Sequence, residues 1–160
     1  MRIDYDSIAD SYDELYRSEQ LNKLRIIASK LKITPKTKIL DIGSGTGLSK
    51  ILGGKITGLE PSEKLLKKSK IRAVRGAAES IPFPERSFDI VISVTSAHNF
   101  SDREKAIAEM ARVSKKTVVI SVLKASRFSG QIERIIPKHL IIESIITEQK
   151  DRIFFCRKKR

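Results

Sequence analysis

Two acidic residues and a run of glycines are the residues of this chain whose types and spacing could do chemistry. Asp41 lies near the end of a short apolar segment, and Gly43, Gly45 and Gly47 follow it at every second position. Glycine lets the backbone turn tightly and approach a ligand, because no Cβ intervenes. Glu60 ends a second apolar segment. Backbone amides for an anionic group and a carboxylate for ribose hydroxyls are what an α/β sheet uses to hold an adenosine.

The glycine spacing narrows the choice of ligand. A dinucleotide-binding fingerprint reads G-x-G-x-x-G, whereas this chain reads G-x-G-x-G, with Leu48 where a helix should already be under way. Together with Asp41, the pattern resembles the first motif of class I S-adenosylmethionine-dependent methyltransferases, (L/V)-D-(I/V/L)-G-x-G-x-G. The resemblance implies that S-adenosylmethionine is the cofactor, with Glu60 as its ribose-binding acid.

Further motifs extend the resemblance over nearly the whole chain. Residues 57–66 resemble V-G-(V/I)-D-x-S-x-x-(M/L)-L. Residues 75–89 resemble x-G-D-A-E-x-L-P-F-P-D-x-S-F-D, and residues 90–100 resemble V-V-x-S-x-x-L-H-H-(V/F). Residues 108–113 resemble x-E-(I/M)-x-R-V, and Tyr5–Tyr16 resembles a Y-D segment that lies over the cofactor. The motifs at 75–89 and 90–100 resemble those of the subgroup that includes the ubiquinone and menaquinone biosynthesis methyltransferases, and the others resemble motifs of the wider family.

The resemblance implies a cofactor site drawn from four strand ends and the N-terminal segment. Its residues are Asp41, Gly43, Ser44, Gly45, Gly47, Glu60, Pro61, Ala77, Ala78, Glu79, Ser93 and Tyr12. Tyr5 and Tyr12 are candidate lid residues, since each ring could cover the cofactor. The alternative is that both tyrosines pack the N-terminal segment against the sheet.

Two departures from the family pattern bear on the site. Ala77 stands where the family has an aspartate that accepts a hydrogen bond from the adenine amino group. Adenine must then be held by backbone amides and by apolar walls such as Pro61, Ala78 and Ile81. The usual K-P-G-G turn is replaced by Ser114–Thr117, which affects the fold more than the chemistry.

Methyl transfer from a sulfonium is an in-line displacement, so the enzyme mainly aligns the nucleophile and excludes water. A base helps only where the acceptor carries a proton of high pKa. His98, at the mouth of the fourth strand, is the candidate base. The alternative is a loop histidine that only lines the pocket or packs. His98, His139 and Cys156 do not form a metal-ligand spacing, and Cys156 is expected to be a packed strand residue.

Hydrophobic patterning predicts alternating strands and helices, and hence a mainly parallel sheet. The predicted strands cover 38–42, 55–60, 71–75, 87–93, 117–123, 139–147 and 152–158. The predicted helices cover 18–31 with Ser18 as N-cap, 46–52, 62–69, 101–113 and 126–136. The fold class is α/β: a Rossmann-like seven-stranded sheet, its last strand antiparallel, with helices on both faces. We expect one domain over residues 1–160, with 1–17 as an N-terminal lid segment.

The 160-residue chain has a net charge of +13, although residues 1–20 hold six acidic residues against two arginines. Basic clusters occur at 64–75, 112–116 and 157–160. Such a surface attracts a polyanion such as RNA, and a thermophile-like composition is the other explanation. No apolar run approaches the ~20 residues that span a bilayer, so no membrane span is expected. The polar N-terminus and single cysteine favour the cytoplasm.

The predicted activity is methyl transfer to an acceptor that the sequence does not identify, either a small molecule or RNA. Short connections after the fourth and fifth strands leave an open acceptor site, or one that a protein partner completes. The absence of Asn-Pro-Pro-Tyr after the fourth strand disfavours N6-adenine methylation. The alternative function is a non-catalytic methyltransferase-like RNA-binding or scaffold module, and a nicotinamide-dependent oxidoreductase is disfavoured by the glycine spacing.

The predicted sheet order also places the basic residues. An antiparallel last strand begins near the cofactor face and ends at the opposite one. We therefore expect Arg157–Arg160 to lie far from the methyl group. Lys124, Arg127 and Lys150 are the basic residues expected nearer to the active face.

Overall fold

A computed structural model describes Asp4, Asp6 and the backbone from Tyr12 to Arg160, with side chains from Arg17 onward. The strands are β1 (Lys38–Ile42), β2 (Lys55–Glu60), β3 (Arg72–Arg75), β4 (Phe88–Val94), β5 (Ser114–Leu123), β6 (Leu140–Thr147) and β7 (Asp151–Lys158). The α-helices are α1 (Tyr12–Lys30), α2 (Glu63–Lys67), α3 (Arg103–Val113) and α4 (Ser129–His139). Two 3₁₀ helices cover Leu48–Leu52 and Ala97–Asn99.

The seven strands form one sheet in the order β3-β2-β1-β4-β5-β7-β6. Strands β1 to β5 pair in parallel, and β7 is antiparallel to both β5 and β6. The α/β fold class and the antiparallel last strand are therefore confirmed. The carboxyl ends of β1 to β5 and the start of β7 lie at one edge, since Asp151 pairs with Leu123 and Arg157 with Thr117.

Two hydrophobic layers cover the two faces of the sheet, because successive strand residues point to opposite sides. On one face, Leu40 and Ile42 of β1 belong to a cluster with α3 and α4, whose members include Met110 and Ile136. On the other face, Ile39 belongs to a cluster with α1. Asp41 shares the parity of Ile39, so its carboxylate points toward the layer that α1 covers.

Three predicted helix starts differ from the structure. Ser18 is not an N-cap, because α1 is already helical at Tyr12. The segment predicted as a helix from 46 is a 3₁₀ turn from Leu48, preceded by Gly47 at φ 86°. Helix α3 is capped by Asp102, whose carboxylate accepts the Lys105 N–H at 3.0 Å, rather than by Ser101.

Two boundaries near the C-terminus also differ. Helix α4 continues through Pro137 to His139, where the sequence predicts an end at 136. Its buried face of Ile132, Ile135 and Ile136 holds the final turn against the core. Strand β7 begins at the fully buried Asp151, one residue before the predicted start at 152. No helix of the described residues is both long enough and apolar enough to cross a bilayer.

Candidate active site

A cavity of about 430 Å³ opens at the carboxyl ends of the central strands. Its walls come from the ends of β1 and β2, the loop after β3, the loop after β4 and the N-terminal segment. The lining residues are Asp4, Asp6, Ile42, Gly43, Leu59, Glu60, Pro61, Ser62, Gly76, Ala77, Ala78, Glu79, Ser96, Asn99, Phe100 and Ser101. This volume is in the range of small-molecule and cofactor sites.

Glu60 lines this cavity with a carboxylate that is fixed by the backbone. One oxygen accepts the Gly45 N–H at 2.8 Å, and the other accepts the Ser62 N–H at 2.7 Å. Burial raises the pKa of Glu60, and these two N–H donors oppose the rise. Each carboxylate oxygen keeps acceptor capacity for a further hydrogen bond. The group can therefore accept hydroxyl donors from the cavity without moving.

The glycine loop lets the backbone come close to its neighbours, but most of its amides are already hydrogen-bonded within the protein. The N–H groups of Gly43 and Ser44 both donate to the Leu59 carbonyl, and Gly47 N–H donates to the Ser44 carbonyl. Gly43 has φ +72°, and a Cβ on it would lie 2.8 Å from the Ser96 Cβ. Only glycine fits there. The expectation that loop amides hold an anionic group is thus not met at positions 43, 44, 45 and 47, whose N–H groups bond within the protein.

Asp41 lies in a second, smaller chamber on the other side of Gly43. This chamber measures about 30 Å³, roughly the share of one water molecule in liquid. Four buried polar atoms around it have no hydrogen-bond partner among the described residues: Gln20 Oε1, Ser44 Oγ, Thr46 Oγ1 and Ser49 Oγ. Burial raises the pKa of Asp41 to about 7, which the nearby Ser49 only partly offsets. Such unsatisfied groups are what a small polar ligand group would satisfy.

Ser93 is placed behind the cavity rather than in its wall. It is fully buried, and its hydroxyl lies 2.7 Å from that of Ser96. Ser96 in turn donates to the Ile42 carbonyl at 3.1 Å and lines the cavity. Ser93 thus positions Ser96, because β4 residues of its parity face the α3–α4 layer.

His98 lies in the 3₁₀ turn after β4, between cavity residues Ser96 and Asn99, but does not itself line the cavity. The side chain is 8% exposed. Burial lowers the pKa of His98; Arg103 and Lys23 add to this, and Asp151 opposes it. A neutral imidazole can accept a proton, so the protonation state suits a base. Its role stays a prediction.

The predicted adenine-binding residues come together at one end of the cavity. Pro61, Ala77, Ala78 and Glu79 all line it. Glu79 Oε2 is buried and has no hydrogen-bond partner among the described residues. The cavity therefore holds an acid two residues after Ala77, where the sequence lacks the family's aspartate.

The loop after Glu79 is anchored by an ion pair on α3. Glu109 Oε2 accepts the Ile81 N–H at 2.9 Å. Arg112 Nη2 donates to the Ile81 carbonyl at 3.0 Å, and Arg112 Nε lies 2.6 Å from Glu109 Oε1. This pair holds the wall of the cavity at a fixed distance from the helix.

Several site residues were missed from the sequence. Asp6 lines the cavity and accepts a short hydrogen bond from the Ser62 hydroxyl, which lowers the pKa of Asp6. Gln20, Thr46 and Ser49 surround Asp41. Hydroxyls in the turn after Asp41 were the available signal for Thr46 and Ser49. Tyr5 and the Tyr12 side chain lie outside the described residues, so their lid role stays a prediction.

A buried ion pair lies next to the site, between α1 and the start of β7. Lys23 Nζ is 3.0 Å from Asp151 Oδ1 and donates to Thr95 Oγ1 at 2.7 Å. Asp151 Oδ2 accepts from the hydroxyls of Thr95 and Ser121 at 2.7 and 2.9 Å. Lys23 is 1% exposed. Thr95 has φ 52°, so this cluster holds a left-handed backbone turn directly after β4.

The remaining candidate residues lie elsewhere. Lys124 and Lys150 are at the edge of the sheet where the cavity opens, and the Lys124 N–H donates to the Lys150 carbonyl. His139 Nε2 lies 3.2 Å from Glu104 Oε1. Cys156 is a buried free cysteine, and burial raises its pKa to about 12, which leaves an unreactive thiol. Among the described residues, no group of three or more His, Cys, Asp or Glu is arranged to hold a metal.

Comparison with known proteins is consistent with this arrangement. Residues 40–122 match the family described as a methyltransferase domain. A demethylmenaquinone methyltransferase of Thermotoga maritima is 33% identical in an alignment 153 residues long. The match covers 82% of this chain and 66% of that protein. Other curated relatives are matched over 62% and 48% of their length. The chain thus spans between about half and two thirds of the relatives it matches.

Solved structures share the fold at low identity. A chain in the complex of the Haloferax volcanii methyltransferase activator Trm112 superposes with a TM-score of 0.87 at 13% identity, covering 100% of both chains. The magnesium protoporphyrin IX methyltransferase of Synechocystis, solved with bound S-adenosylmethionine, gives a TM-score of 0.81 at 15% identity over 97% of this chain and 93% of that one.

Proposed function

From the premise that this chain belongs to the class I methyltransferase family, in the subgroup of the menaquinone and ubiquinone biosynthesis methyltransferases, we propose that it binds S-adenosylmethionine and transfers its methyl group to an acceptor. The observation that carries the proposal is the pair of cavities that meet at Gly43. One has the size and walls for an adenosine, and the other has a carboxylate among unsatisfied polar atoms.

The residues present fit the two ends of this cofactor. Glu60 would accept the ribose hydroxyls, and Asp41 with the orphaned oxygens around it would receive the ammonium of the methionine end. Gly43 has no side chain and would therefore let the cofactor extend from one cavity into the other. When bound, S-adenosylmethionine supplies an electrophilic methyl group on a positively charged sulfur. The protein's own task is then to align the acceptor and exclude water.

At the acceptor side, Ser96, Asn99 and Phe100 form the wall after β4. Ser93 and the Lys23–Asp151 pair hold this wall from behind. His98, kept neutral by its burial, would take a proton from an acceptor that must lose one. An acceptor that is already nucleophilic would need no base, and replacing His98 would then leave turnover unchanged.

The first test is calorimetry with S-adenosylhomocysteine, for which we expect one site per chain. Glu60→Gln should weaken binding by about 1.5–3 kcal/mol, because a charged acceptor is lost. Glu63→Gln is the matched control, since Glu63 is a largely exposed acid outside the cavity. If the wild type did not bind S-adenosylhomocysteine, the proposed activity would be wrong. If both variants lost the same amount of affinity, Glu60 would not be part of the site.

Glu79 supports a specific version of the adenine site. We propose that its unsatisfied oxygen accepts the adenine amino group in place of the acid missing at Ala77. Glu79→Gln should then weaken S-adenosylhomocysteine binding, and Ala77→Asp should restore affinity in that background by up to a few kcal/mol. Unchanged affinity in Glu79→Gln would assign adenine to backbone contacts alone.

The acceptor class is open between a small molecule and RNA. The relative from Thermotoga is named for a quinone precursor, which favours a small molecule. Tritium transfer from labelled cofactor into separated lipid-soluble, RNA and protein fractions tests this directly. Cofactor binding without transfer into any fraction would favour the non-catalytic alternative.

A protein partner is a further part of the proposal. The connections from β4 to α3 and from β5 to α4 are short, so the described residues provide little of an acceptor enclosure. The fold neighbour from Haloferax was solved with an activator protein. Affinity purification of the tagged chain under native conditions should recover a stoichiometric second protein that raises turnover. Full turnover by the purified chain alone would contradict the proposal of a partner. The cytoplasmic location expected from the sequence stays a prediction.

A further inference from the structure

A second concave surface lies at the edge of the sheet opposite the active site. It is formed by residues 85–86 before β4, residues 115–116 in β5 and residues 157–160 at the end of β7. Parallel strands begin and the antiparallel strand ends at this edge, so the surface, which we call the basic groove, is a full strand length from the cofactor cavity. Its volume is about 410 Å³.

The basic groove concentrates positive charge. Seven of its eight lining residues are lysine or arginine, and Glu85 is the only acid among them. Two of the cations are paired at their outer side, Lys115 with Asp89 at 3.6 Å and Arg157 with Glu143 at 3.7 Å. Within the part of the chain that the structure describes, no carboxylate side chain forms an ion pair with Arg86, Lys116 or Arg160. Clustering like charges opposes folding, so an external anion is the expected counter-charge.

The groove is held in place by backbone contacts. Lys158 Nζ donates to the carbonyls of Arg112 and Ser114 at 3.2 and 3.1 Å. Burial, together with the charges of Arg86 and Arg112, lowers the pKa of Lys158. Arg86 has φ 56°, an uncommon backbone conformation for this residue type, and its N–H donates to the Arg112 carbonyl at 2.9 Å. A strained turn is thus fixed so that it presents a cation to the groove.

The chemistry of the groove selects among anions. A single phosphate carries about two charges near neutral pH, fewer than the groove's cations provide even when the pairs with Asp89 and Glu143 are discounted. Among the described residues that line the groove none is aromatic, so bases have no stacking surface there. The charge and the lining of the groove favour contact with successive phosphates, which is independent of base sequence.

We propose that the basic groove binds the phosphate backbone of RNA, at a site separate from the methyl-transfer site. Arginine forks and lysine ammonium groups contact the phosphate oxygens, while the bases point away from the protein. The groove would therefore tether RNA to the chain whether or not RNA is the methyl acceptor. This goes beyond the proposed function and does not depend on it.

The test is fluorescence anisotropy with a labelled RNA of about 20 nucleotides, titrated at several salt concentrations. Lys116→Glu with Arg160→Glu should weaken binding at least tenfold at low salt. The slope of log affinity against log salt should become shallower by roughly 1.4, since each phosphate of a single strand that the protein neutralises adds about 0.7 to it. The control is Lys50→Glu with Lys55→Glu, which makes the same charge change at exposed positions outside the groove and should have a much smaller effect.

Equal losses in the two double variants would overturn the proposal, because net charge alone would then explain binding. Inorganic polyphosphate is the competing source of phosphate chains. If it binds to the groove while RNA does not, the RNA assignment is wrong. The glutamine versions of both double variants repeat the comparison should charge reversal impair folding. S-adenosylhomocysteine binding is measured on the same proteins and should be unchanged. A failure of the methyltransferase proposal would then appear as absent S-adenosylhomocysteine binding, separately from any effect on RNA binding.

Discussion

Two buried polar clusters lie side by side at the edge of the sheet where the cavity opens, and helix α1 contributes to both. In one, Gln20 faces Asp41, whose chamber keeps four polar atoms without partners among the described residues. In the other, Lys23 faces Asp151, and the hydroxyls of Thr95 and Ser121 complete the network. We call them the open cluster and the closed cluster. Each contains a carboxylate that is at most 5% exposed.

The difference lies in what satisfies the carboxylate. The Asp151 carboxylate accepts two hydroxyls on Oδ2, and the Lys23 ammonium lies 3.0 Å from Oδ1, although Oδ1 accepts no hydrogen bond from the described residues. In the closed cluster the protein itself therefore supplies the charge that balances the carboxylate. The pKa of Asp41 is instead raised to about 7 by burial, because no cation of the described residues is paired with it. An incomplete buried cluster is expensive to keep, so its retention indicates a ligand. We therefore propose that the closed cluster is structural and that the open cluster binds a ligand.

The largest expected effect comes from breaking the closed cluster. Lys23→Met should lower the free energy of unfolding by about 3–5 kcal/mol, because Asp151 is left buried without its cation. Denaturant unfolding measures this. The control is Lys150→Met, since Lys150 pairs with Glu19 at 3.7 Å on the surface and should lose no more than about 1 kcal/mol.

A loss below about 1 kcal/mol in Lys23→Met would mean that water or a rearranged side chain reaches Asp151. The distinction between a closed and an open cluster would then fail. A second consequence can be measured in the same variant. The turn at Thr95 positions the wall after β4, so turnover should fall more than cofactor affinity does.

The next effect in size concerns Asp41. An aspartate ordinarily has a pKa of 3.8, whereas burial raises the pKa of Asp41 to about 7 in the folded chain. Between these two values the folded state therefore keeps a proton that the unfolded chain releases. The stability that this proton provides is complete below about pH 4 and is lost as pH rises through about 7. Asp41→Asn should therefore be more stable than the wild type at pH 8, by up to a few kcal/mol.

The same variant tests the ligand side of the comparison. In the wild type, affinity for S-adenosylhomocysteine should rise as pH increases from about 6 to about 8, because the ionised carboxylate pairs with the ligand ammonium. In Asp41→Asn this rise should vanish and the affinity should be low throughout. A variant that gains stability yet keeps full affinity would mean that Asp41 is not a ligand-binding group. Calorimetry in buffers of different ionisation enthalpy would reveal the proton released on binding.

The two clusters differ in how far the sequence predicts them. Asp41, Glu60 and the glycines are close in sequence and carry a motif, so the open cluster could be located from its pattern. Lys23 and Asp151 are far apart along the chain, and each lies in a charged stretch that is indistinguishable from a solvated surface. Their pairing depends on how α1 packs against the start of β7, which residue types alone do not specify.

Similar reasoning explains the smaller errors. The strands were predicted within a few residues because buried parallel strands are apolar runs. Ser93 was expected in the cavity wall, but the strand parity turns it toward α3, and Ser96 takes its place. The loop amides were expected to bind the ligand, yet those of residues 43–45 bond to Leu59 and Glu60. In both cases a three-dimensional partner decides the role of a residue whose type was correctly recognised.

The smallest expected effect compares one hydroxyl from each cluster. Ser49 and Ser121 are both almost completely buried. Ser49 Oγ makes no hydrogen bond of good geometry among the described residues, and its interaction with Asp41 only partly offsets the raised pKa of that carboxyl, so Ser49→Ala should change stability by less than about 1 kcal/mol. Ser121 donates to Asp151 at 2.9 Å and accepts the Thr95 N–H at 2.7 Å, so Ser121→Ala should lower stability by about 1–3 kcal/mol.

Affinity should show the reverse order. Ser49→Ala should weaken S-adenosylhomocysteine binding by roughly 1 kcal/mol, about fivefold, because a hydroxyl available to the ligand is lost. Ser121→Ala should leave the affinity of the folded protein nearly unchanged. Denaturant unfolding and calorimetry on the two purified variants give all four values. If Ser49→Ala destabilised the chain as much as Ser121→Ala and bound the ligand normally, the open cluster would be structural, and the methionine end would have to lie elsewhere.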